Sequence, residues 1–196
     1  MLPLDDRGII RALEQPATNR PRAVVTYYAG MPAVPRANMP NFRNRSYSIT
    51  AEVEIPQGGA DGAVLSLGGR FGGFSFYVQK NRLSYAYNWM GLERYAVTAT
   101  EPLPAGSATL RLDFTSAGPG GGTAAIFVNG RQVGEARVSR LVPITFGLSE
   151  GLTVGRDPST PVTEGYQSPF EFTGKIKKVV MALKEDAAPP ANTRAR

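Results

Sequence analysis

Polar and apolar residues alternate one for one along much of this chain, a period of two that marks strands with one buried face. From Ser46 to Ile55, Tyr47, Ile49, Ala51, Val53 and Ile55 fall on one side and Ser48, Thr50, Glu52 and Glu54 on the other. Phe74, Phe76 and Val78 alternate with Ser75, Tyr77 and Gln79. After Lys80-Asn81 the pattern resumes as Leu83, Tyr85 and Tyr87 against Ser84, Ala86 and Asn88, which predicts a hairpin. Further strand segments are Ala63–Leu67, Glu93–Ala99, Ala108–Phe114, Ala124–Val128, Val133–Val138 and Gly151–Gly155. A closing strand runs through Phe172, Ile176, Val179, Val180 and Leu183. Asn129-Gly130 is the strongest short hairpin signal, because both residues tolerate the positive φ of a type I′ turn. About ten short strands with no helix-period segment between them predict an all-β, antiparallel sandwich over residues 43–184.

The flanks read differently. Residues 1–42 form an arm with one short helical possibility, Asp5 to Glu14, followed by Pro16, Pro21, Pro32, Pro35 and Pro40. Prolines fix φ and lack a donor, so this arm is expected to run extended over something larger. Its apolar residues Val24, Val25, Tyr27, Tyr28 and Met31 need a surface to cover, either the sandwich or a partner. Residues 185–196 are Ala/Pro-rich and polar, the composition of a disordered tail.

Composition narrows the chemistry. Histidine and cysteine are both absent from the 196 residues. That excludes disulfides, Cys/His zinc sites, a Ser-His-Asp triad and a thiolate nucleophile. The net charge of +6 is spread thinly over the chain, with no polybasic run, so nucleic acid is not an expected partner. No segment reaches the ~20 apolar residues needed to span a bilayer. Met1–Arg7 shows no cationic stretch leading into an apolar one, so no signal peptide is expected in the chain as written and its localisation is undetermined.

Several segments recur together, in this order, in one family. They are Arg45-Ser-Tyr-Ser-Ile-Thr-Ala51, Gly68-Gly-Arg-Phe-Gly-Gly-Phe74, Leu83 to Trp89 and Gly151-Leu-Thr-Val-Gly-Arg-Asp157, continued by Pro161-Val162, Tyr166 and Phe172-Thr-Gly-Lys-Ile-Lys-Lys178. In them the chain resembles the C-terminal region of bacterial arylsulfatases of the long type. The resemblance implies a concanavalin-like or laminin-G-like jelly roll that packs on a sulfatase catalytic domain. It also implies an activity that this chain lacks. Sulfatases need a Cys-x-Pro-x-Arg or Ser-x-Pro-x-Arg motif, and a divalent cation such as Ca²⁺ held in the catalytic domain. Neither form of the motif occurs here. No catalytic residue and no cofactor are therefore expected, and the function expected is that of an accessory domain.

The alternative expectation is a free-standing lectin-like module that binds a glycan. Tyr77, Tyr85, Tyr87, Trp89 and Tyr95 supply aromatic rings on neighbouring strands. Tyr85 and Tyr87 share a face with Leu83 and are expected in the core. Tyr77 and Trp89 are expected on the other face, where a sugar would stack. Asp157 is the one candidate metal ligand, as loop aspartates hold calcium in some concanavalin-like domains, weighed against a turn in which it bonds backbone amides. The Gly68-Gly-Arg-Phe-Gly-Gly73 loop is read as a β-turn rather than an anion grip. Val24, Tyr27, Tyr28 and Met31 are the candidate docking residues.

Overall fold

The period-two segments fold as expected. The computed structural model describes residues 23–35, 38–42, 44–118, 120–142 and 150–184. The helical possibility at 5–14 and the tail at 185–196 lie outside the described residues. The strands are β1 (Val24–Tyr27), β2 (Tyr47–Ile55), β3 (Gly62–Gly69), β4 (Gly72–Gln79), β5 (Arg82–Trp89), β6 (Glu93–Thr98) and β7 (Gly106–Ser116). They continue as β8 (Gly122–Val128), β9 (Arg131–Val138), β10 (Leu152–Val154), β11 (Arg156–Asp157), β12 (Phe170–Glu171) and β13 (Lys175–Leu183). A six-stranded sheet runs β1-β13-β2-β7-β8-β9 and a five-stranded sheet runs β10-β3-β4-β5-β6. All pairings are antiparallel. The chain is thus an all-β antiparallel sandwich.

Turn chemistry sets the registers. Lys80 and Asn81 adopt φ of 49° and 56°, and Asn129 and Gly130 adopt 50° and 85°. Two consecutive positive φ values give the turn a twist that matches the flanking strands. β4 and β5 consequently pair from Gln79↔Arg82 to Gly73↔Asn88, and β8 meets β9 from Val128↔Arg131.

The core lies between the sheets. In β2, buried and half-buried residues alternate without a break. Tyr47 stacks on Phe114 with ring centroids 5.1 Å apart and meets Phe74 at 5.8 Å; such pairs contribute about 0.5–1.5 kcal/mol beyond their buried area. Tyr85 and Tyr87 are buried in this core as expected. Their hydroxyls are satisfied there, Tyr85 Oη bonding Tyr47 Oη at 3.1 Å and Tyr87 Oη accepting the Val142 N–H at 2.8 Å. Burial pushes all three phenols well above their ordinary pKa.

Two features of the sandwich depart from the expected division of the chain. β1 comes from the arm and pairs with β13 along Val24↔Ala182 to Tyr27↔Val179, while Phe42 is buried against Tyr47 at 5.5 Å. The arm is therefore stitched into the sandwich on both sides of Pro32, Pro35 and Pro40. The second departure concerns β3, β4 and β5, which are buried on both faces over nearly their whole length. Their outward residues include Ser66, Ser75, Ser84 and Asn88, which pattern alone assigns to solvent. The serines are covered by the loop that leaves β11 and returns through β12, residues 158–169, which lies as a strap across the five-stranded sheet, whereas Asn88 is enclosed by the two turns it bonds.

Candidate functional site

The strap is held at both legs and at its crest. β11 and β12 pair through Arg156↔Glu171 and Asp157↔Phe170. Tyr166 stacks on Phe170 at 4.5 Å, and both meet the outward ring of Tyr77 edge-on, at 5.1 and 6.3 Å. Glu164 pairs with Arg94 at 3.3 Å, and the Gln79 side-chain amide donates to Gly165 O. At its root Asp157 is buried, with Oδ2 accepting the Tyr166 hydroxyl at 2.5 Å. Burial pushes this carboxyl above the usual carboxylate range. Hydrogen bonding from Tyr166 and from the Val162 N–H opposes the shift, as does Ser66 Oγ, which approaches without completing a bond of ordinary geometry. The Glu150 carboxylate adds a push in the raising direction.

Beside the strap root, at the β3–β4 and β5–β6 end of the sheet, is a cavity of about 220 Å³. Its polar lining comes from Glu150, Thr153, Asp157 and Ser159 with the glycines Gly68 and Gly151. Ala33 and Pro158 complete the wall. A relay fixes its rim: the Arg70 N–H donates to Thr160 Oγ1 at 3.0 Å, and Thr160 Oγ1 donates to Glu150 Oε1 at 2.9 Å. Gly69 makes room for that relay, since a Cβ there would lie 2.2 Å from Thr160 Oγ1.

Two hairpin tips stand beside the cavity, and they expose large apolar side chains where turn chemistry favours small or polar ones. Phe71 is 59% exposed, Met90 47% and Leu92 73%. The Arg70 guanidinium lies 5.9 Å from the centroid of the Phe71 ring. Asn88 ties the tips together: its Nδ2 donates to Gly69 O and Arg70 O at 2.9 and 3.1 Å, and its Oδ1 accepts the Gly91 N–H at 2.8 Å. Phe71 is two residues from Gly69, so its Cα lies within about 7 Å of the backbone at the cavity rim.

The residues singled out from sequence are placed as follows. Tyr77 lies on the outward face, as expected, but is buried under the strap. Trp89 does not share that face. It continues the inward row of Leu83, Tyr85 and Tyr87 in steps of two, sits half-buried at the core margin and donates Nε1–H to Leu141 O at 3.2 Å. Arg140 covers its ring at 4.9 Å. Asp157 has a phenol and a backbone amide around it, and among the described residues no group of three His, Cys, Asp or Glu gathers in a metal-binding cluster. Tyr27 is buried and Met31 packs against the core, while Val24 and Tyr28 are 58% and 53% exposed. The Gly68–Gly73 loop is a hairpin turn joining β3 and β4. Sequence reading missed Glu150 and the tip residues Phe71, Met90 and Leu92. The available signal was a bulky ring set between glycine pairs.

Two other hollows are less suited to a ligand. One of about 460 Å³ lies at the opposite end between Glu101–Pro104 and the β8–β9 turn, where Arg131 and Glu101 neutralise each other. The other, about 220 Å³, lies between Ala29-Gly30 and Phe172–Gly174, with the oppositely charged Arg156 and Glu171 in its wall and no exposed aromatic ring among its lining residues.

No protein-family model and no curated protein matches the chain. Solved structures do share its fold. The K499G mutant of NanB sialidase from Streptococcus pneumoniae is 14% identical, with a TM-score of 0.57 over 82% of this chain and 26% of that one. Domains LG4-5 of the mouse laminin α1 chain are 12% identical, with a TM-score of 0.53 over 85% of this chain and 40% of that one. The CBM40 of Ruminococcus gnavus IT-sialidase, bound to α2,6-sialyllactose, is 16% identical, with a TM-score of 0.47 over 72% of this chain and 79% of that one. This chain thus spans about a quarter of the NanB chain and under half of the laminin chain. At these identities the likeness to the first two, whose TM-scores exceed 0.5, defines the class of fold, a jelly-roll β-sandwich, and nothing finer. Among the described residues no helix is long and apolar enough to cross a membrane.

Proposed function

We propose that this chain is a non-catalytic, lectin-like module that binds a saccharide at the cavity beside Phe71. The observation that carries the reading is the pairing of an exposed ring, on a turn whose backbone Asn88 holds, with a small pocket rich in hydroxyl and carboxylate groups. A sugar presents an apolar C–H face and a rim of hydroxyls, so it needs both surfaces at once. At about 220 Å³ the cavity is smaller than the ~300 Å³ at which pockets for drug-sized ligands begin, which suits one ring with further units in solvent. Catalysis is disfavoured by the same geometry. Two carboxylates line the pocket, but Asp157 is 1% exposed and its Oδ2 is taken by Tyr166, so it has no path to a glycosidic oxygen.

The test is a glycan array followed by titration of the best ligand against the wild type and Phe71→Ala. The expected result is binding that weakens at least about tenfold in the variant. A wild-type protein that binds nothing on the array, or a Phe71→Ala protein that binds equally well, would overturn the reading.

A second reading is favoured by Val24 on β1 and Tyr28 just after it, both exposed where β1 forms the edge of the six-stranded sheet among the described residues. In it the module is the accessory domain of a larger sulfatase-like protein and packs that edge against a catalytic domain. Co-elution with such a domain, lost on Val24→Asp/Tyr28→Asp, is its expected signature. Elution of the two as separate species would dismiss it.

A further inference from the structure

We infer that the saccharide taken by this pocket is non-acidic, a neutral or amino sugar whose hydroxyl or ammonium hydrogens are donated to Glu150. This rests on the saccharide reading above and specifies its ligand class.

The argument is a count of donors and acceptors. Glu150 Oε1 is occupied by Thr160, and among the described residues Oε2 carries no hydrogen bond. Thr153 Oγ1 spends its proton on Arg156 O at 2.7 Å, which leaves its lone pairs free to accept. Asp157 is an acceptor already engaged by Tyr166. Among the side chains that line the pocket, the free valences are therefore acceptors, apart from the Ser159 hydroxyl, which can act either way. Each calls for a ligand O–H or N–H.

An acidic sugar brings acceptors and negative charge instead. Its carboxylate would face Glu150 and Asp157 across a space to which, among the described residues, no cationic side chain contributes. The two carboxylates already sense one another, since Glu150 contributes to the raised pKa of Asp157; a third negative charge would add to that repulsion. The nearby guanidinium of Arg70 is not part of the lining and is directed over the Phe71 ring. It is a group through which an acidic ligand could be recruited, so the test includes it.

The experiment uses the full chain and NMR titration with matched sugars. Glucose, galactose and glucosamine are compared with glucuronic acid, galacturonic acid and N-acetylneuraminic acid, at about 0.05 and 0.5 M salt. The expected result is that each acid binds at least about tenfold more weakly than its neutral parent. Neutral affinities should be insensitive to salt, and glucosamine should gain over glucose at low salt. Glu150→Gln should abolish that gain, so that glucosamine binds the variant no better than glucose does. Acids that bind as well as or better than their parents overturn the inference while the saccharide reading stands, most plainly if Arg70→Gln then removes them. A glucosamine advantage that survives Glu150→Gln also overturns it. If neither neutral nor acidic sugars bind, the saccharide reading falls and this inference falls with it.

Discussion

Replacing Asn88 by alanine tests whether the two hairpin tips owe their rigidity to one buried side chain. Asn88 is fully buried at 0% exposure and its amide makes three hydrogen bonds, two given to β3–β4 turn carbonyls and one received from Gly91 N–H. A typical bond of this kind contributes about 1 kcal/mol net, and more when its loss strands a buried partner. Gly69 O is buried, whereas the Arg70 and Gly91 groups lie toward solvent and can rehydrate. The expected cost is therefore roughly 2–4 kcal/mol, including the small void left by the truncated side chain. For a chain of this length 1 kcal/mol moves Tm by about 2–4 °C, so scanning calorimetry should show a fall of roughly 5–15 °C. Asn88→Asp keeps the acceptor for Gly91 but turns a charge toward two carbonyl oxygens, and should cost more than alanine does. Phe71→Ala in the same assay should stay within about 0.5 kcal/mol, because its ring is exposed. An Asn88→Ala protein as stable as the wild type would refute the reasoning, since the tips would then be held by their turns alone.

Two further predictions concern buried polar groups. Asp157 has its folded-state pKa raised, so its contribution to stability is fully present below the ordinary value of 3.8 and is lost as pH rises through the folded value. Measured by urea unfolding between about pH 4 and 7, the wild type should lose stability relative to Asp157→Asn as pH rises; a constant difference, or one of opposite sign, would reject the assignment. Tyr85→Phe should cost about 1–2 kcal/mol by leaving the Tyr47 hydroxyl buried without its partner, whereas Tyr47→Phe/Tyr85→Phe should be closer to the wild type than the sum of the two single changes. Simple additivity in that cycle would mean the hydroxyls do not depend on one another.

Much of the fold was legible because its information is local. The inward rows of β2, β4, β5 and β7 follow directly from alternation, and the turns at Lys80-Asn81 and Asn129-Gly130 from residues that accept positive φ. The core positions of Tyr85 and Tyr87 followed from Leu83 by the same parity. Parity also places Trp89 with them, so its expected position on the opposite face was an error of register and not a gap in the evidence. The outward face of β3–β5 was not legible in this way. Whether Ser66, Ser75 and Ser84 meet solvent depends on a segment that arrives some eighty to a hundred residues later, and alternation is blind to it. The same holds for the pocket. Gly68, Glu150 and Asp157 meet only because β10 pairs with β3 through Leu152↔Leu67, a long-range contact with no counterpart in neighbouring residues. Composition did narrow the chemistry: without histidine or cysteine, the polar groups that converge there are carboxylates and hydroxyls.

The strap changes what the outward serines mean. Ala63, Ser66, Ser75, Ser84 and Ala86 are all small, and together they form a shallow trough in which irregular backbone can lie close to a sheet. Their value lies in the space they leave more than in the hydroxyls they carry. The five-stranded sheet thereby becomes the middle of three layers, a position usually taken by parallel sheets packed between helices. A larger side chain anywhere in that trough would act as a lever under the third layer, and its effect would reach Asp157 and the pocket at the far end of the strap.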